Sequence, residues 1–162
     1  MYLSDGGHFD NLGIYELVRR RCRLIIACDA GADHTYSFTD LALVVEKCRV
    51  DFGAKIDIDL SELIPTAPLF PGDTAKRASD KKFSVGLIQY ANGQTGNLIY
   101  IKPCLDMKLP KDILAYAKAA ATFPHQSTAD QFFDEAQFES YRELGYLCAD
   151  AAARTVEAAM HA

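Results

Sequence analysis

The sequence predicts an α/β fold: a mostly parallel sheet flanked by helices, with an added β-hairpin and C-terminal helices. Three observations predict it. Strand-like and helix-like stretches alternate through residues 1–60, an order that right-handed crossovers turn into parallel pairing. The connection Asn92-Gly93-Gln94-Thr95-Gly96 separates two strand-like runs as a hairpin turn does. Alanine-rich stretches with helical spacing fill most of 111–161.

Taken in order, Tyr2-Leu3-Ser4 reads as the tail of a strand. Asp10 or Asn11 caps a helix running to about Arg21, with Ile14, Leu17, Val18 and Cys22 on one face. Arg19, Arg20 and Arg21 fall in its last turn, where they complement the helix dipole. Arg23 to Cys28 reads as a buried strand ending in Asp29-Ala30-Gly31-Ala32-Asp33. A second helix follows from about Phe38 to Asp51, capped by Ser37, with Leu41, Val44, Val45 and Cys48 as its apolar face. From Ala54 to Leu60 the pattern alternates, Ile56 and Ile58 against Lys55, Asp57 and Asp59, as a strand does.

Residues 61–82 carry Pro65, Pro68, Pro71 and Gly72 and read as a long loop. The hairpin occupies 83–102 and Pro103 ends it. Helices occupy 111–161: one from Lys111 to Thr122 with Pro110 at its start, and a final one from about Glu135 to His161. Asp134 and Gln137 form a capping box for the latter, and Gly145 weakens it by roughly 1 kcal/mol relative to alanine. Phe138, Tyr141, Gly145, Cys148, Ala152 and Ala159 form its expected packing stripe.

At 162 residues the chain suits a single domain, 1–162, with a core of ordinary size. A hydrophobic share of 49% and a charged share of 24% are those of a soluble globular protein. The net charge of −5 argues against general nucleic-acid binding, which needs a basic face. No apolar run approaches the roughly 18 residues of a membrane span. No basic stretch precedes an apolar one in the manner of a signal peptide, so the expected compartment is the cytoplasm. Cys22, Cys28, Cys48, Cys104 and Cys148 are scattered and odd in number, which favours free buried thiols over disulfides or a zinc site.

The chemistry concentrates in Ser4-Asp5-Gly6-Gly7-His8-Phe9-Asp10-Asn11-Leu12-Gly13. A carboxylate followed by two glycines, at a strand end and before a helix, is presented without steric cover. Sites in open α/β sheets gather outside the carboxyl ends of the strands. Asp29, Asp33 and His34 lack a fourth ligand and make a weak metal set. His125, Ser127 and Asp130 are close enough in sequence to cap a helix rather than form a triad. Tyr100, Tyr116 and Tyr141 read as packing residues.

The extended run is more specific than the triplet. Asp5-Gly6-Gly7, Asp10-Asn11-Leu12-Gly13, Glu16-Leu17, Arg20-Arg21-Cys22, Ile25-Ile26 and Cys28-Asp29-Ala30 together resemble the patatin-like phospholipases, most closely the large bacterial members. Phe123-Pro124-His125-Gln126-Ser127-Thr128 and the stretch from Phe138 to Gly145 resemble the C-terminal part of the same proteins. The resemblance implies a lipid acyl hydrolase with a Ser-Asp dyad and no cofactor, acting on a lipid or phospholipid ester. It implies that Asp5 is the catalytic base, that Gly6 and Gly7 shape its loop, and that Asn11 ties the loop to the first helix.

The family's nucleophile stands in a G-x-S-x-G elbow, and no serine of this chain does. The expectation is therefore a partial patatin-like fold, the C-terminal portion of a larger hydrolase, inactive alone. Its missing N-terminal segment would carry the serine and any membrane tether. An ordinary aspartate near pKa 3.9 is a weak base for serine, so in the complete enzyme burial of Asp5 and coupling to oxyanion charge are expected to strengthen it. An unpaired sheet edge would be covered by a homodimer or by the chain's own segments. The alternatives are a non-catalytic α/β interaction module that assembles through its alanine-rich helices, and an unrelated small hydrolase using His8 or His125.

Overall fold

The computed structural model describes residues 5–127, 129 and 131–161. Tyr2-Leu3-Ser4 lies outside them. The elements are α1 (Ile14–Arg19), β1 (Leu24–Cys28), α2 (Thr39–Phe52), β2 (Lys55–Ile58), β3 (Ala67–Pro68), β4 (Arg77–Ala78), β5 (Phe83–Gln89), β6 (Thr95–Ile101), α3 (Lys111–Ala119) and α4 (Glu135–Met160). Short 3-10 turns occupy Gly6–His8 and Ser61–Leu63.

The architecture is an α/β sheet with helices on both faces, but the sheet is not mostly parallel. Its order is β1-β6-β5-β2, and among the described residues only β1 and β6 run parallel. β5 pairs antiparallel with both β6 and β2. The hairpin, expected as an addition, forms the middle of the sheet and separates β1 from β2. The reason lies in β6. From Leu98 to Ile101 every residue is buried, and such a run belongs where both faces are covered. The short, half-exposed Ile56 and Ile58 of β2 suit an edge.

Alternate residues of β6 feed two cores. Leu98 and Tyr100 join Ile25, Ala27, Ile14, Leu41 and Val44 under α1 and α2. Ile99 and Ile101 join Ile113, Ala117, Leu144 and Cys148 under α3 and α4. β1 finds β6 on one side and, among the described residues, no strand on the other. Its Ile26 is 45% exposed there.

Several caps differ from expectation. α1 is shorter than predicted, and Arg19 and Arg20 are both engaged by Glu16. Ser37 does not cap α2. The Asp33 carboxylate accepts from the Ser37 and Phe38 backbone N–H groups at 2.9 and 2.8 Å, fixing a turn in which Phe38 has φ 51°. Asp134 caps α4 as expected, accepting from the Gln137 N–H at 2.7 Å. The buried stripe of α4 is Gln137, Ser140, Leu144, Cys148 and Ala152; Phe138 and Gly145, expected on it, face outward. The predicted 61–82 loop also contains the β3–β4 pair. All five cysteines are free; three are buried, Cys22 is half-buried and Cys28 is exposed. No described helix is long and apolar enough to cross a membrane.

Candidate active site

Asp5 stands in extended backbone (φ −69°, ψ 161°) immediately before the Gly6–His8 turn. Its Oδ1 lies 2.9 Å from His8 Nδ1, and both side chains are about three-quarters exposed, at 79% and 75%. The hydrogen bond from His8, followed by its charge, holds the carboxyl below its ordinary range. The burial expected of the complete enzyme is not supplied by this chain: among the described residues nothing covers the carboxylate.

The two glycines play different parts. A Cβ on Gly7 would lie 3.2 Å from Asn11 Oδ1 and 3.3 Å from Asp5 Oδ1, so the missing side chain lets both polar groups approach the turn. A Cβ on Gly6 would meet nothing within 4 Å. Asn11 does not tie the loop to α1. Its Nδ2 donates to Asp40 Oδ2 at 2.9 Å, joining the loop to the first turn of α2. The tie to α1 comes from Asp10, whose carboxylate accepts from the Leu12 and Tyr15 N–H groups at 3.1 and 2.8 Å. Gly13 at the helix start (φ 69°) has no side chain to cap with, and the Asp10 carboxylate takes that part.

Asn11 and Asp40 form one wall of a cavity of about 510 Å³ at the carboxyl end of β1, with Asp29, Gly31 and Ser127 among its other lining residues. Ser127 Oγ accepts from the Ala129 N–H at 3.2 Å. Gly31 sits close to this wall: a Cβ would fall 3.0 Å from Asp29 Oδ1, a tight contact, and 3.7 Å from Asp40 Oδ2, an ordinary one. Sequence reasoning missed what lies behind this wall. Lys102 is fully buried, and its Nζ donates to Asp29 Oδ2 at 2.9 Å. The Tyr100 hydroxyl donates to the same oxygen, while the Gly31 N–H donates to Oδ1 at 2.9 Å. Burial, then the Asp29 contact, pushes the Tyr100 phenol well up. Tyr100 is therefore more than packing. A lysine at the end of an apolar strand, just before Pro103, was the available signal.

Asp29, Asp33 and His34 do not converge as ligands; among the described residues no group of three His, Cys, Asp or Glu side chains is arranged to hold a metal. His125 does not cap a helix. It is buried, and its Nδ1 accepts from the Asp33 N–H at 3.3 Å. Asp130 lies outside the described residues. Tyr116 and Tyr141 pack around Phe123, and their hydroxyls also contact Gln126. Comparisons with family models, curated proteins and solved structures find no match to this chain.

Proposed function

We propose that this chain is part of a patatin-like lipid acyl hydrolase and carries the aspartate of its Ser-Asp dyad. The observation that supports the reading best is the mounting of Asp5: an uncovered carboxylate on a glycine turn, in the extended motif run. Asn11 links that turn to the cavity at the end of β1. The chain has no G-x-S-x-G elbow, so the nucleophile in this reading comes from a segment outside these 162 residues. The side of β1 that has no partner among the described residues offers that segment a strand to join.

In the assembled site Asp5 accepts the serine proton as serine attacks a lipid ester carbonyl. The alcohol leaves, and water releases the fatty acid from the acyl-enzyme. The arriving segment must supply the desolvation that the open loop lacks, and must draw His8 away from Asp5 or share it. We place the assembled enzyme in the cytoplasm, with any membrane tether in the segments outside this chain.

The 2.9 Å contact between His8 and Asp5 favours a second reading. With Nδ1 held by Asp5, His8 Nε2 could serve as the base, and Asp5 would orient it. Joining the chain to an elbow-bearing segment and assaying a short-chain ester separates the two. In the dyad reading Asp5→Ala abolishes turnover, while His8→Ala lowers it less than about tenfold. In the triad reading both substitutions lower it by about 10³ or more. Full activity of Asp5→Ala rejects both.

A further inference from the structure

A second cavity, of about 250 Å³, opens between the β1–α2 loop, the segment around β3 and β4, and the turn after α3. It shares no lining residue with the cavity beside Asn11. Its ionisable lining is unusual for a chain of net charge −5: His34, His125, Lys76 and Arg77 line it, and no Asp or Glu does. Ile64, Leu105 and Phe123 give it an apolar flank.

The two strong cations bond to neutral groups. Lys76 Nζ donates to the Phe123 carbonyl and Arg77 Nη2 to the Thr66 carbonyl, both neutral acceptors. Neither residue forms an ion pair among the described residues. Each retains donors, since an ammonium has three and a guanidinium five. Desolvation lowers the Lys76 pKa, outweighing the nearby charge of Asp73, which raises it.

His125 adds an independent observation. It is only 6% exposed. Because its Nδ1 accepts from the Asp33 N–H, the neutral ring carries its proton on Nε2. That buried Nε2 has no hydrogen-bond partner among the described residues. Buried donors are almost always satisfied, and an orphan one marks a place for a water, an ion or a ligand. Here the orphan belongs to a ring that lines an acid-free, cationic cavity.

We propose that this cavity binds a small amphipathic oxyanion: a carboxylate or phosphate group on a short apolar stem. Lys76, Arg77 and His34 surround the charge, and Ile64, Leu105 and Phe123 receive the stem. At roughly 30 Å³ per water, the volume of about 250 Å³ admits a ligand of about eight to ten non-hydrogen atoms. The proposal is independent of the acyl-hydrolase reading.

The test is a titration of the purified chain with hexanoate, butyl phosphate and, as an uncharged control, 1-hexanol, followed by backbone amide shifts in NMR. We expect at least one anion to bind, with shifts confined to residues 33–37, 64–66, 75–78 and 121–126, and hexanol to bind at least about tenfold more weakly. Whichever anion binds more tightly identifies the headgroup. Arg77→Gln and Lys76→Gln should each weaken binding about tenfold, the loss of one charge-assisted contact. Should Lys76→Gln fail to fold, the more exposed Arg77 and the shift map decide. Absence of binding by both anions at about 20 mM would overturn the proposal. So would equal binding of hexanol, shifts centred elsewhere, or unchanged affinity in a folded Arg77→Gln variant.

Discussion

Lys102 Nζ lies 2.9 Å from Asp29 Oδ2, with the two side chains only 1% and 5% exposed. The pair joins the ends of β6 and β1, which run parallel. Removing one partner leaves the other as a buried, uncompensated charge. Lys102→Met is therefore expected to destabilise the protein by about 3–5 kcal/mol in urea unfolding. The double variant Lys102→Met/Asp29→Asn should recover part of that loss. Equal stability of Lys102→Met and the parent would show that the pair carries no net coupling.

Asp33 holds the turn into α2. Burial raises its pKa, but the N–H groups of Ser37 and Phe38 outweigh this and hold the carboxyl below its ordinary value of 3.8. A depressed folded-state pKa adds stability above the unfolded value, and that stability disappears as pH falls through the folded one. Asp33→Ala should cost about 1–2 kcal/mol at neutral pH and much less near pH 2. A cost independent of pH would mean the carboxylate's charge is irrelevant to the turn.

His125 behaves in the opposite chemical sense with the same pH dependence. Burial, then the positive field of Lys102, lowers its pKa to about 4 from 6.5. The unfolded chain takes up this proton first as pH falls. The histidine's contribution is thus full above about pH 6.5 and declines towards pH 4, by at most about 3 kcal/mol. His125→Gln should flatten the stability profile across that window. An NMR titration midpoint for His125 near 6.5 would contradict the account.

Gly96 is required by sterics. A Cβ there would fall 2.7 Å from the Cys22 carbonyl oxygen and 3.2 Å from that of Arg23. The Cys22 oxygen also accepts the Tyr90 hydroxyl at 2.5 Å, and the Arg23 oxygen accepts the Asn97 N–H, so neither yields easily. Gly96→Ala should destabilise by about 1–3 kcal/mol and lower the thermal midpoint. Gly93→Ala, with φ 84° but open space around it, provides the comparison of strain without collision.

Among the described residues one side of β1 is open, and this leads to an expectation about assembly. An exposed strand carrying Ile26 at 45% exposure and an exposed Cys28 is a template for pairing. By itself the chain should form a homodimer through this edge, and Ile26→Lys should give monomers in light scattering. A monodisperse parent monomer would contradict this.

Much of the architecture was legible because it depends on local pattern. The alternation of Ile56 and Ile58, the spacing of Leu41, Val44 and Cys48, and the Asp134 cap each describe one element. Strand order was not legible, because burial on both faces of β6 decides it and no local period reports which neighbours a strand receives. The stripe of α4 was misplaced for a related reason. Gln137 and Ser140 are buried there despite their polarity, so the apolar pattern did not mark the packed face. At the site, the Asp5 loop stood out from its glycines. Lys102, some seventy residues from Asp29, had no sequence neighbour to signal its pairing.

The order of the sheet also has a consequence for synthesis. Register places Leu24 opposite Asn97 and Cys28 opposite Ile101, about seventy residues later. Within these 162 residues, α1, β1 and α2 are therefore made well before the strand that β1 pairs with. Through that interval Ile25, Ala27 and Val44 lack Leu98 and Tyr100, their partners in the native core. Only when the β5–β6 hairpin has closed can β1 dock, so the step that completes the sheet carries a long loop closure and should set the pace of folding.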